Sequence, residues 1–440
     1  MKDIENTKKE APLKESPFLG LTGMGGGVGG FNFLSAGGDW GPLWGWGANK
    51  GKLFAPQGPT GNPAYSPPNM YCRSSPVMID SGDWIWMKNG GQATHFGAID
   101  KSNNLYMWGS QSYGVCGNNV SLPGVPNMIS FPQRFQIPGS WTYIDTDSDT
   151  CAGIKDDNTM WVWGKNIRGA LGMNQANGVG HRSSPTQIPG TWASIVVGGI
   201  SNAGAMLAVN TNGELWTWGQ NQYGKLGLNQ AGNYFELPQT IKISSPTQIG
   251  TDTTWSTEEG SIAMAEEQSF AIKTDGTLWG WGGGEYGALG MNNHGYNAMR
   301  SSPVQLTGSS WARVIAQKGN GNNQGFAIKT NGGLYSWGAN DRGNLGHNDR
   351  TFRSQPTQIP GAWKVAGTNG VGEKMMMCVK DDGTLWSWGY NGTGGLGINV
   401  ANPNGYGPAR SSPVQIGTKT DWLMATPGKE GTGSAWGSKG

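Results

Sequence analysis

Metal or nucleophilic chemistry in this chain would have to come from four histidines, His95, His181, His294 and His347, and four cysteines, Cys72, Cys116, Cys151 and Cys378. No C-x-x-C or Cys/His spacing joins them into a metal site, and neither a G-x-S-x-G elbow nor a Walker loop is present. The histidines are far apart, and each lacks a local acid–base partner, so they read as incidental. A catalytic cluster could form only across a central channel. Cys116 and Cys378 stand where other copies of an internal repeat have Leu289 and Ala271, which suits buried free thiols. Glu258, Glu259, Glu266 and Glu267 form a carboxylate patch whose spacing does not suit calcium; a solvated loop is expected. Residues Gly23 to Gly30 superficially resemble a phosphate loop, but no strand, helix or lysine frames them. No metal, no cofactor and no enzymatic activity are expected.

The elements that would have to position any such residues are repeats. The phrase Leu278-Trp279-Gly280-Trp281-Gly282 recurs in seven copies ending at Gly47, Gly109, Gly164, Gly219, Gly282, Gly338 and Gly389, a period of about 57 residues that must be settled before any local reading. Of the 22 tryptophans, most fall in these phrases or at Trp84, Trp141, Trp192, Trp255, Trp311, Trp363 and Trp422, so they build a scaffold. Within a unit, Ser269 to Lys273 and Thr277 to Trp281 flank an Asp275-Gly276 turn, a strong hairpin signal. Ser302 to Leu306 reads as a third strand with its proline at the start, and Trp311 to Ile315 as a fourth. Four short antiparallel strands repeated seven times, without a helix signal, describe an all-β, seven-bladed β-propeller. The tail Gly433-Ser434-Ala435-Trp436-Gly437 supplies the strand that the first copy lacks, so residues 433–437 are expected to pair with residues 43–47 and close the ring.

Two segments follow: an extended Gly-rich arm over residues 1–39 and the propeller over 40–440. Residues 1–15 hold eight charges and little to bury, the mark of a mobile arm. After them, Phe18, Leu19, Leu21, Met24, Phe31 and Phe33 are too apolar for a mere spacer and suggest an anchor that docks on a partner; a floppy linker is the alternative. Gly makes up 76 of 440 residues and charged residues only 14 %, against a usual ~7 % and about 25 %. A formal charge of +2 gives no reason to expect nucleic acid. No apolar run is long enough to cross a membrane, and no secretory signal is recognisable.

Leu278-Trp279-x-Trp281-Gly282, Gly287-x-Leu289-Gly290-x-Asn292 and Ser302-Pro303 together resemble the regulator of chromosome condensation repeat, over about residues 40–437. The resemblance implies a seven-bladed propeller. It implies less about function, because that family includes the exchange factor for the Ran GTPase, a secreted β-lactamase inhibitor and many proteins of bacteria and their viruses. The arm is similar to leader segments of tailed-bacteriophage virion proteins.

The arginines before Ser-Ser-Pro, Arg73, Arg182, Arg300, Arg353 and Arg410, are expected to tie down loop carbonyls. What varies between copies is the loop after each Trp-Gly strand, short over 349–352 and long over about 50–72, 119–130, 230–242 and 400–409. These loops carry Tyr65, Tyr71, Tyr234, Phe235, His294, Tyr296, Phe352 and Tyr406, aromatics among small polar residues that suit a surface binding protein or glycan. The expectation is a non-enzymatic recognition protein on a virion surface, in a tail or capsid, anchored by its arm to virion proteins and engaged in host attachment or particle decoration. An exchange-factor-like regulator of a small GTPase and an enzyme-inhibiting propeller are the alternatives.

Overall fold

The structure is a computed structural model. It describes residues 41–48, 72–90, 95–120, 128–129, 133–147, 149–175, 180–199, 204–230, 241–295, 298–317, 324–366, 375–391, 394–400, 407–427 and 433–437. Residues 1–39 with their anchor positions Phe18, Leu19, Leu21, Met24, Phe31 and Phe33 lie outside this set.

Strands β1 (Gly41–Ala48), β2 (Cys72–Asn89), β3 (His95–Asp100), β4 (Leu105–Ser110), β5 (Met128–Ile129) and β6 (Phe135–Ile137) open the chain. Four-stranded sheets follow: β7 (Trp141–Asp147) to β10 (Arg182–Ile188) through β8 (Thr150–Lys155) and β9 (Met160–Gly164); and β11 (Trp192–Gly198) to β14 (Lys242–Gln248) through β12 (Ala205–Asn210) and β13 (Leu215–Gln220). The next two are β15 (Ile262–Met264), β16 (Gln268–Ile272), β17 (Leu278–Gly282) and β18 (Arg300–Gln305); and β19 (Trp311–Gln317), β20 (Gln324–Lys329), β21 (Leu334–Gly338) and β22 (Arg353–Ile359). The last is β23 (Trp363–Ala366), β24 (Met375–Lys380), β25 (Leu385–Asn391) and β26 (Gly407–Gln415), after which β27 (Trp422–Pro427) and β28 (Gly433–Gly437) return to the first sheet. That sheet has eight strands in the order β27-β28-β1-β2-β3-β4-β5, with β6 also on β4. The first strands of successive sheets pack side by side, β2 with β7, β7 with β11, β11 with β15 and β15 with β19, while β23 meets β27 and β27 meets β2. The fold is an all-β propeller.

The sheets number six among the described residues, where the repeats predict seven blades. The difference lies in β2. Its residues from Cys72 to Trp84 pair with β1, and those from Trp84 to Asn89 pair with β3. Elsewhere the same join is broken by a glycine with positive φ, at Gly139, Gly190, Gly250, Gly308, Gly361 and Gly417, three of them after a proline that removes a ladder donor. The corresponding stretch Ile79-Asp80-Ser81-Gly82-Asp83-Trp84 has neither proline nor positive φ, so strand geometry runs through it.

Closure follows the expected register: Leu43 pairs with Trp436, Trp44 with Ala435, Gly45 with Ser434 and Trp46 with Gly433, while β28 also pairs with β27. Neighbouring sheets are strapped by the repeat phrases themselves. The indole N–H of the second tryptophan donates to a loop carbonyl of the preceding sheet: Trp163 to Val115, Trp218 to Ala170, Trp281 to Lys225, Trp337 to Ala288, Trp388 to Asn344 and Trp46 to Gly395, at 2.8–3.0 Å. The asparagine of each Leu-Gly-x-Asn phrase sits at positive φ and donates its backbone N–H to the first serine carbonyl of the next Ser-Pro strand, as in Asn292 to Ser354 at 2.8 Å and Asn399 to Ser74 at 2.7 Å. Glycine precedes this contact for lack of room, since a Cβ on Gly287 would stand 2.4 Å from Ser354 Cα.

Cys116, Cys151 and Cys378 are buried free thiols, as expected. His95 is fully buried at the junction of β3 with β7, where its Nε2 shares a hydrogen bond with Thr146 Oγ1, itself 3.1 Å from Cys151 Sγ. Burial lowers the His95 pKa to about 4 and raises the Cys116 thiol to about 12 and Cys151 further. Imidazole and thiols are therefore uncharged at neutral pH, which removes a thiolate nucleophile.

Deleting the chain from residue 433 should lower the calorimetric melting temperature and broaden the transition, because β1 and β27 then present open edges; an unchanged melt would show that closure contributes nothing. His95 adds a pH dependence. An unfolded histidine takes up its proton near 6.5 and the folded one only near 4, so stability is complete above about 6.5 and falls as pH drops towards 4, by on the order of 3 kcal/mol. Urea unfolding of His95→Gln should show a flatter pH slope across that window than the parent chain.

Candidate binding face

In an up-and-down sheet, the end of each first strand and the loop after each third strand emerge on one face. Tight 3-10 turns at Ser112–Gly114, Ile167–Gly169, Gln222–Gly224 and Glu285–Gly287 shape these loops. Their middle residues Tyr113, Arg168, Tyr223 and Tyr286 hold φ of 53° to 60°, a left-handed conformation costly for bulky side chains. The straps to the next sheet hold it there.

Where the first and second sheets meet, four chemically different side chains converge. Lys165 Nζ lies 3.3 Å from Asp149 Oδ2 and 4.3 Å from the Tyr113 ring centroid. His181 meets that ring edge-on with centroids 5.0 Å apart, and its Nδ1 accepts the Asn166 backbone N–H at 3.0 Å. Burial raises the Asp149 carboxyl although Lys165 opposes it, and burial followed by Lys165 lowers the His181 pKa.

A second cluster lies around Lys225, which occupies the slot filled by Ala170 and Ala288 in sister repeats. It is fully buried, and its Nζ donates to the Glu266 carbonyl at 2.9 Å. Burial brings its pKa down to about 8 against the opposing charges of Glu266, Asp147 and Glu267.

The carboxylate patch expected to be a solvated loop is therefore corrected: Glu258 is exposed, but Glu267 is buried and Glu259 is largely shielded. The reason is an insertion after Trp255. Ser261 Oγ donates to the Ser256 carbonyl at 2.8 Å, and Gly260 accepts the Val314 N–H at 2.8 Å. This pins the segment against β19 and sets Glu259 3.8 Å from Arg313. Burial raises the Glu259 carboxyl despite Arg313 and Lys88.

Lys88 and Asp145 form a further ion pair at 3.0 Å between β2 and β7 with side chains 1 % and 0 % exposed, and Asp145 Oδ2 also accepts the Val197 N–H at 2.8 Å. Sequence reasoning missed this pair. Its signal was available: both residues stand four places after the inner tryptophan, where Val196 and Ile315 stand in sister repeats.

The expected loop residues divide in two. His294 and Phe352 are both exposed, and their rings pack with centroids 5.3 Å apart; Tyr286 on the same face is also exposed. Tyr65, Tyr71, Tyr234, Phe235, Tyr296 and Tyr406 lie outside the described residues. Three of the five arginines tie down loop carbonyls: Arg182 donates to Gly180 at 3.0 Å, Arg300 to Met299 at 2.8 Å and Arg353 to Thr351 at 2.9 Å. Among the described residues, no cluster of three or more acidic, cysteine or histidine side chains could hold a metal ion, and no helix is long and apolar enough to cross a membrane.

The model of the regulator of chromosome condensation (RCC1) repeat matches residues 212–253, 275–317 and 331–366. The human E3 ubiquitin-protein ligase HERC2 is 26 % identical over 376 residues, which are 84 % of this chain and only 7 % of the ligase. The ultraviolet-B receptor UVR8 of Arabidopsis thaliana is 27 % identical over 336 residues, 74 % of this chain and 68 % of the receptor. Among solved structures, Prp20p of Saccharomyces cerevisiae, described with its binding to Gsp1p and histones, overlays with a TM-score of 0.69 at 17 % identity, covering 92 % of each chain. Human WBSCR16 overlays at 0.65 and 17 % identity, covering 91 % of this chain and 99 % of that one. Three segments of the chain thus match the regulator of chromosome condensation repeat, and its strands, straps and closure make a β-propeller similar to those of Prp20p and WBSCR16.

Proposed function

We propose that this chain is a non-enzymatic protein-recognition propeller that acts through its loop face, and that it regulates a partner in the manner of an exchange factor on a small GTPase. The observation that carries this reading is the inequality of the two faces. The hairpin face repeats nearly the same turn in each copy, with Asp157, Asp275 and Asp382 each accepting a threonine N–H and hydroxyl. The loop face breaks the repeat with Lys165, Asp149 and His181 beside Tyr113 at one junction and with the paired rings of His294 and Phe352 at another. Aromatic side chains beside charged groups on strained, well-held loops suit the anchors of a protein interface.

The GTPase form is preferred because Prp20p, with a similar ring, is described as binding Gsp1p and histones. The virion setting rests on residues 1–39 alone, and none of the relatives named above supports it. We also read the eight-stranded sheet as two blades that share β2, which would give the ring seven units.

Release of a fluorescent guanine nucleotide from purified small GTPases should accelerate in the presence of the chain for at least one of them. Tyr113→Ala and Tyr286→Ala, the latter at an exposed side chain, should each reduce that effect tenfold or more without appreciably lowering the melting temperature. Acceleration that survives both substitutions would exclude this face. No acceleration across the panel would exclude the exchange reading.

A further inference from the structure

On the hairpin face, each inner-strand tryptophan stands beside a second aromatic ring, and at six of the seven pairs the chain supplies a cation. Lys155 Nζ lies 5.0 and 4.2 Å from the Trp141 and Trp161 centroids, Lys273 5.0 and 4.4 Å from Trp255 and Trp279, Lys329 4.8 and 5.2 Å from Trp311 and Tyr335, and Lys380 5.2 and 3.7 Å from Trp363 and Trp386. Arg134 covers Trp84 and Tyr106, and Lys419 covers Trp44, which packs on Trp422. The exception is Trp192 with Trp216, rings 6.1 Å apart and nearly perpendicular. The register identifies the missing cation: Trp141 is opposite Lys155, Trp311 opposite Lys329 and Trp363 opposite Lys380, whereas Trp192 is opposite Asn210.

Two further differences make this place receptive. A Cβ built on the turn glycines Gly139, Gly308 and Gly361 would have its sheet's lysine among its nearest neighbours, while the three nearest atoms at Gly190 all belong to Trp192. In three sister sheets a threonine hydroxyl accepts the outer indole N–H, Thr159 from Trp161, Thr277 from Trp279 and Thr384 from Trp386. Here Glu214 replaces that threonine, and the Trp216 indole N–H has no partner among the described residues. Glu214 accepts a hydrogen bond from Asn210 Nδ2, and no lysine or arginine among the described residues pairs with it. The partly exposed Trp216 ring, the Trp192 ring and a carboxylate thus surround the position that an ammonium group fills in four other sheets. A cation desolvated between ring faces is attracted by their quadrupoles, and the Glu214 charge adds to that attraction.

We propose that Trp192, Trp216 and Glu214 form a receptor for the side-chain ammonium of a partner's lysine, unmodified or N-methylated. The site is on the face opposite the loops, so it stands or falls independently of the exchange reading. The test is calorimetric titration of the full chain with Nα-acetyl-lysine amide and with its Nε-trimethyl form. Saturable binding of either at one site per chain is expected, weakened at least tenfold in Asn210→Lys and in Trp216→Ala, and weakened also in Glu214→Gln. Asn210→Lys is the decisive variant, because it restores the pattern of four sister sheets, should melt no lower than the parent and fills the slot from within. Absence of saturable binding by the parent chain, or binding that Asn210→Lys leaves unchanged, would overturn the proposal.

Discussion

The molecule depends on an indole N–H reaching back into the sheet before it. Each fully buried Trp-Gly tryptophan contributes on the order of 2–3 kcal/mol by burial alone, but any large apolar side chain in a sheet could do that. The donor gives direction: Trp281 Nε1 ends on the Lys225 carbonyl, Trp337 on Ala288 and Trp46 on Gly395, so every sheet is fixed to its predecessor and the first to the last. The asparagine N–H to serine carbonyl contact runs forward in the same way. With both straps made, a loop-face turn can hold a tyrosine at φ near 55°, because relaxing it would cost two hydrogen bonds to a neighbouring sheet.

This economy explains why the two faces differ in what they tolerate. A hairpin tip is built from residues near in sequence, as where Asp275 organises Thr277 and Thr277 in turn holds Trp279. The loop face is built from straps to which the loop itself contributes only backbone groups and glycines. The side chains between the straps are then free to differ, and Lys225 can replace an alanine without breaking the Trp281 contact, which needs only its carbonyl. Buried charge is admitted where partners exist, as for Lys88 with Asp145; such a pair is weak evidence for stability and better evidence for a fixed register between neighbouring inner strands.

Much of the fold was legible from repetition. The hairpins, the strand-initial prolines and the closure of residues 43–46 by residues 433–436 follow from lining up copies, since a strand missing at one end and extra at the other must meet. The continuity of β2 was not visible that way, because it depends on the absence of a proline and of a left-handed glycine, and periodic reading registers what recurs. For the same reason Glu259 looked like loop: its insertion has no counterpart, and only packing against β19 shows that it is shielded. Of the site residues, His294 and Phe352 were found because aromatic side chains stand out among Asn and Gly. Tyr113, Lys165, Asp149 and His181 were passed over, since each is ordinary in its own segment and they meet only through sheet-to-sheet packing.

Strand β28 lies between β27 and β1 although every other propeller strand precedes it in sequence, and this sets a timetable for the ring. Nearly four hundred residues separate Trp44 from Ala435, and closing a flexible chain of that length would cost about 5 kcal/mol, a cost that the intervening sheets lower by folding first. At ordinary rates of translation the edge of β1 waits roughly 20–80 s for its partner. During that interval the nascent ring is an open arc with a sticky end. Its hazard is capture by a second arc, and a swapped β28 would make a dimer from the same hydrogen bonds that otherwise close a single ring.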